Sequence, residues 1–95
     1  SIGVFKAILE LKERIEREIM PQFHARRQAN AQALMRSLYQ GPVVNIKSVK
    51  TLLNVQTNTA SSLIGDFEEY GILKEMTGYK RNRTFVFSEY LLLFK

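Results

Sequence analysis

The sequence predicts a mainly α-helical chain with one small β-hairpin, and three observations predict it. Apolar residues recur at three- and four-residue spacing through most of the first seventy positions, the period of a helix packed on one side. Two such stripes are separated only by Asn54, Val55 and Gln56, the length of the turn in a helix-turn-helix. Two strand-like runs, residues 72–76 and 84–87, then flank a turn around residues 78–82. That order is a winged helix-turn-helix, preceded by one long or two shorter N-terminal helices.

Taken in order, Val4, Ile8, Leu11, Ile15 and Ile19 align on one side of a helix running to about Met20, and Phe5 and Leu9 widen the stripe. Glu10 with Arg14, and Glu13 with Arg17, stand four apart with the acid first, the favourable order for surface pairs. Pro21 is tolerated in a first turn but breaks a helix interior, so a kink or break is expected there. A second helix follows from about residue 22 or 25 to Tyr39, burying Ala31, Leu34, Met35 and Leu38. Gly41 and Pro42 end it, with glycine expected in the left-handed conformation.

Val43 and Val44 are β-branched and suit a minimal strand, and Asn45 is placed to cap a short helix over residues 46–53. Val49, Leu52 and Leu53 are its expected inward side. The next helix starts at Gln56 or Thr57 and closes on Gly71, with Ala60, Leu63, Ile64 and Phe67 as its core stripe and Tyr70 at the stripe's edge. Turning 100° per residue from that stripe sets Asn58, Ser62, Gly65 and Glu69 outward, flanked by Ser61 and Asp66. In the last strand Phe85 and Phe87 share one face, and Ser88 with Glu89 reads as the cap of a buried terminal turn over residues 89–94.

Composition narrows the function. A chain of 95 residues supports a single hydrophobic core. The longest purely apolar run, residues 90–94, is far below the roughly 20 residues that span a bilayer, and the start lacks the pattern of a secretory signal. No membrane partner is expected. With no cysteine there is neither a disulfide framework nor a thiolate site, so the cytoplasm is the expected compartment. The start at Ser1 rather than Met suggests a piece of a longer protein.

The net charge of +5 suits a polyanionic partner, but its distribution decides where such a partner would sit. Seven basic and four acidic side chains fall in residues 1–40, and seven and five in residues 41–95, so neither half is a basic arm. The local concentration is Lys80, Arg81 and Arg83, with no acid between Thr77 and Ser88. In a winged helix the second helix of the motif enters the major groove, which makes Asn58, Thr59, Ser61 and Ser62 the candidates for base contact and Thr57 a candidate near phosphate. Lys80, Arg81 and Arg83 on the wing, with Lys47 and Lys50 on the preceding helix, are the candidates for the DNA backbone. Against this, the outward face has no Lys or Arg, and Asp66, Glu68 and Glu69 oppose phosphate; the same residues would equally serve as a solvated surface. His24 has no cysteine, second histidine or carboxylate at a metal spacing, and reads as a helix-boundary residue.

Residues 52–64, continued by Phe67-Glu68-Glu69-Tyr70-Gly71-Ile72-Leu73-Lys74-Glu75, resemble the winged-helix domain at the C-terminus of many Fic-family proteins. The wing Thr77-Gly78-Tyr79-Lys80-Arg81-Asn82-Arg83, followed by Phe85-Val86-Phe87 and Glu89-Tyr90-Leu91, is similar to that family's terminal pattern. The resemblance covers residues 41–93 well and the first 40 loosely, as a helical linker after a catalytic domain. Fic enzymes transfer a nucleotide monophosphate, usually AMP, to a protein hydroxyl through a motif that begins His-Pro-Phe and ends Gly-Asn-Gly-Arg. Here the sole histidine, His24, is followed by Ala25-Arg26-Arg27, so that motif is absent. The resemblance thus implies a non-catalytic end of a protein adenylyltransferase, with no catalytic residue, metal or cofactor of its own.

The resulting expectation is a helical linker, packing or dimerisation segment over residues 1–40 and a winged helix-turn-helix over residues 41–95. The expected partners are double-stranded DNA, the Fic catalytic domain of the same parent chain and a second copy. The alternative function is a protein-interaction, dimerisation or regulatory module without DNA binding. A freestanding transcription regulator is disfavoured by the short length and the non-Met start.

Overall fold

The computed structural model describes residues 2–76 and 83–94. It is mainly helical with a three-stranded antiparallel sheet. Helix α1 (Ile2–Arg14) passes through a widened π turn (Ile15–Ile19) and a 3-10 turn (Met20–Gln22) before α2 (Ala25–Gln40). Strand β1 (Val43–Asn45), helices α3 (Ile46–Leu53) and α4 (Thr57–Glu69), strands β2 (Lys74–Glu75) and β3 (Thr84–Val86) and helix α5 (Ser88–Leu92) follow. The sheet order β1-β3-β2 and the packing of α3 on α4 give the described residues 43–76 and 83–86 the arrangement of a winged helix-turn-helix.

The expected break at Pro21 takes a specific form. Proline has no N–H for the carbonyl four residues back and its ring crowds that carbonyl, so the preceding turn opens. The Met20 N–H reaches back five residues to the Ile15 carbonyl, and Pro21 sits in the first turn of the short 3-10 segment. Phe23 then turns extended and buries its ring against Phe67 and Tyr70, at centroid distances of 5.4 and 5.1 Å. The N-terminal region is thereby fastened to α4.

Three helix ends show why the chain turns where it does. Asn45 and Ser48 form a reciprocal capping box: the Asn45 side chain accepts from the Ser48 N–H at 2.7 Å, and the Ser48 hydroxyl oxygen accepts from the Asn45 N–H at 3.0 Å. Asn54 takes the left-handed conformation that closes α3, with φ 54°, a role its short amide side chain tolerates. At the end of α4 Gly71 is left-handed at φ 81°, and the Gly71 and Ile72 N–H groups donate to the Glu68 and Phe67 carbonyls, the paired bonds of a Schellman turn.

One cluster forms the core. It joins Leu11, Ile15, Met20, Phe23, Leu34 and Leu38 of the N-terminal region to Val49, Leu63, Phe67, Phe85 and Phe87, so residues 1–40 and 41–95 share it. The predicted inward residues of α2 and α4 are all buried.

Five expectations are corrected. Phe5 and Leu9 are 65% and 50% exposed, because they lie about 120° and about 160° around α1 from the buried Leu11. Arg14 pairs with Glu89 across the fold rather than with Glu10. Gly41 is extended (φ −145°), since a residue before proline is driven to the β region and here leads directly into β1. Leu52 is 48% exposed. The terminal helix starts at Ser88 itself with no side-chain cap, and Leu91, Leu92 and Phe94 are exposed, because so short a helix has one inner side and Tyr90 with Leu93 occupies it.

Candidate nucleic-acid interface

Helix α4 is held by a buried row, Ala60, Leu63, Ile64 and Phe67, which fixes its opposite face towards solvent. The five residues nominated from the sequence are all exposed, Asn58 and Ser62 on that face, Ser61 beside it and Thr57 and Thr59 on its flanks at the helix start. The first-turn N–H groups have no acceptor inside the helix, and the Gln56 side chain does not supply one. The N-terminal end of α4 therefore combines amide donors, the positive end of the helix dipole and short hydroxyl or amide side chains.

Of the three acidic residues weighed against DNA, only Asp66 is in an ion pair among the described residues. The Arg27 guanidinium, from the first turn of α2, pairs with Asp66 through Nη1 and donates from Nη2 to the Ser62 hydroxyl oxygen at 2.6 Å. Glu75 accepts two bonds from Arg83, at 2.7 and 3.1 Å, which hold its carboxyl below the ordinary carboxylate range. Glu89 is engaged by Arg14. Asp66, Glu75 and Glu89 of the winged half are thus in ion pairs, whereas Glu68 and Glu69, two of the three acids weighed against DNA, stand near the far end of α4.

Lys47 and Lys50 are exposed on α3 and form no ion pair among the described residues. Lys47 borders a groove of about 780 Å³ between the end of α2, β1 and α3, whose walls include Gln40, Val43, Ser48, Thr51 and Leu52. The capping box occupies the Asn45 N–H and carbonyl at the end of β1.

The wing candidates divide. Lys80 and Arg81 lie outside the described residues. Arg83 is seated on the hairpin, its guanidinium bound to Glu75 and set over the Phe85 ring at 5.3 Å, so it braces the strands. Sequence reasoning missed this brace because Glu75 stands just before the acid-free stretch, although hairpin pairing of residues 75 and 85 brings it diagonally next to Arg83. The Arg27 bridge had no local signal, since Arg27 and Asp66 are 39 positions apart.

Among the described residues no group of His, Asp and Glu side chains is arranged to hold a metal ion, and no helix is long and apolar enough to cross a membrane. His24 is exposed at the start of α2. Comparison with protein-family models, with curated proteins and with solved structures finds no match to this chain.

Proposed function

We propose that the chain is a DNA-binding winged-helix module, with α4 as the groove-reading helix and α3 contributing backbone contacts. The observation that carries this reading is the N-terminal half of α4: five exposed short polar side chains, on the outward face and its flanks, on a helix anchored by its buried row, with neighbouring Asp66 paired to Arg27. Asn58 is suited to bidentate pairing with adenine, whereas the serines and threonines discriminate weakly. Lys47 and Lys50 supply sequence-independent attraction. Lys80 and Arg81, by their charge alone, belong with them in this reading.

The resemblance of residues 41–93 to Fic-family winged helices supports placing the module in a larger protein whose catalytic part transfers a nucleotide. In that setting the module takes no cofactor, and its partners are duplex DNA and the catalytic domain of its own chain. An electrophoretic shift titrated against salt tests the DNA reading. Lys47→Ala with Lys50→Ala is expected to lower the salt slope by about two, one for each lost phosphate contact. Affinity no tighter than millimolar at low salt, or indifferent to this pair, overturns it.

A second reading is favoured by a different observation. Residues 3–9 are Gly-Val-Phe-Lys-Ala-Ile-Leu, yet no side chain among them is buried, and Phe5 and Leu9 point outward. A helix segment apolar on most sides is ordinarily covered. This supports an interaction or regulatory module in which α1 docks on a second copy or on the catalytic domain.

A further inference from the structure

Arg27 and Arg26 occupy the first turn of α2, which contains no acidic residue, so both charges oppose the positive end of that helix's dipole. Arg27 is therefore poorly placed to stabilise its own helix, and its guanidinium is spent on α4. There it meets two residues four apart, Ser62 and Asp66, at the border of the outward face. Both ends of the contact remain partly open to solvent, with side-chain exposures of 37% for Arg27 and 31% for Asp66.

We propose that Arg27 is a positioning residue of the DNA interface, cancelling the Asp66 charge beside the phosphates and orienting the Ser62 hydroxyl as a hydrogen-bond donor to duplex DNA. The inference rests on the DNA-binding reading above. Two physical arguments support it. A hydroxyl has one proton and two acceptor sites; with one acceptor site filled by the Arg27 N–H, the proton is directed away from the guanidinium. Ser62 then addresses acceptors such as purine N7, guanine O6, thymine O4 or a phosphate oxygen. The second argument is charge. An unpaired Asp66 would stand in the negative field of the duplex, whereas the pair presents no net charge there.

Net charge at this spot separates the proposal from a simple tie between helices. With the 95-residue chain and a mixed-sequence duplex, affinity is measured across a salt series for the original protein, Arg27→Ala, Asp66→Asn and the double variant. Arg27→Ala is expected to weaken binding about tenfold at low salt, with the loss shrinking as salt rises. Asp66→Asn alone is expected to tighten binding severalfold. The double variant, neutral again, should return to within about threefold of the original.

A structural tie predicts instead that all three variants weaken alike, since each breaks the bridge, and that result overturns the proposal. A direct Arg27 contact to phosphate leaves the double variant as weak as Arg27→Ala, which also overturns it. Should Arg27→Ala fail to fold by circular dichroism, Arg27→Gln takes its place in the single and the double variant, with the same outcomes upholding or overturning the proposal. An original protein with no duplex affinity removes the DNA reading and this inference together; normal affinity untouched by Arg27→Ala removes only the inference.

Discussion

Tyr39 shows how much a single group can be strained inside this small core. Its ring packs edge-on against Phe87 and Tyr90, and its backbone carbonyl accepts from the Tyr90 hydroxyl at 2.9 Å, but its own hydroxyl is buried without a hydrogen-bond partner among the described residues. Burial, reinforced by Glu16 and Tyr90 and opposed by Arg14, pushes its pKa from 10.0 up to about 12. Tyr39→Phe keeps the ring and deletes the unpaired oxygen, so the variant is expected to gain about 1 kcal/mol in chemical denaturation at neutral pH. The sign with pH follows from the raised value. Below the unfolded pKa near 10.0 the protonated folded state has its full stability, and that stability is lost as pH rises towards about 12. Tyr39→Phe should flatten that alkaline loss, and equal alkaline slopes for the two proteins would assign it to other groups.

Asn54, by contrast, was legible as a turn residue, because a short amide is the non-glycine choice for a left-handed position. Gly41 was not, because the proline after it overrides the usual habit of glycine at a helix end. Local chemistry decides both, but the second depends on what the next element needs.

At the scale of elements, the capping box is the joint between sheet and motif. Asn45 is the last residue of β1 and the cap of α3, so one side chain sets both the end of a strand and the direction of a helix. Asn45→Ala is expected to cost about 1 kcal/mol, read as a lowered midpoint in urea with unchanged slope. A loss no larger than that of a surface control such as Thr51→Ala would show that the box contributes little.

The bounds of α3 and α4 followed from the Asn45 cap, the short turn at residues 54–56 and Gly71, and the core row of α4 from its helical spacing. The edges of the candidate site did not. Arg27 reaches α4 through tertiary packing that no window of sequence contains, and Glu75 meets Arg83 only once the strands are in register. The exposed polar face was therefore readable, while the groups that set its charge were not.

For the whole molecule, the division at residue 40 has a mechanical meaning: Leu11, Ile15, Met20 and Phe23 belong to the same core as the winged half, whereas Phe5 and Leu9 near the start of α1 are exposed. These two are one helical turn apart, and Lys6, Glu10 and Glu13 border them. An antiparallel pair of such helices would bring Lys6 of each copy towards Glu10 or Glu13 of the other while burying the apolar side chains. Because Phe5 and Leu9 are outside the core, Phe5→Glu with Leu9→Glu should change folding stability by no more than about 0.5 kcal/mol each. The same pair should abolish self-association in sedimentation velocity if α1 is a dimer surface. Should the unsubstituted chain itself sediment as a monomer at high concentration, a second copy is not what covers α1. The exposed Phe5 and Leu9 would then point to a different partner, and under the Fic resemblance that partner is the catalytic domain of the same chain.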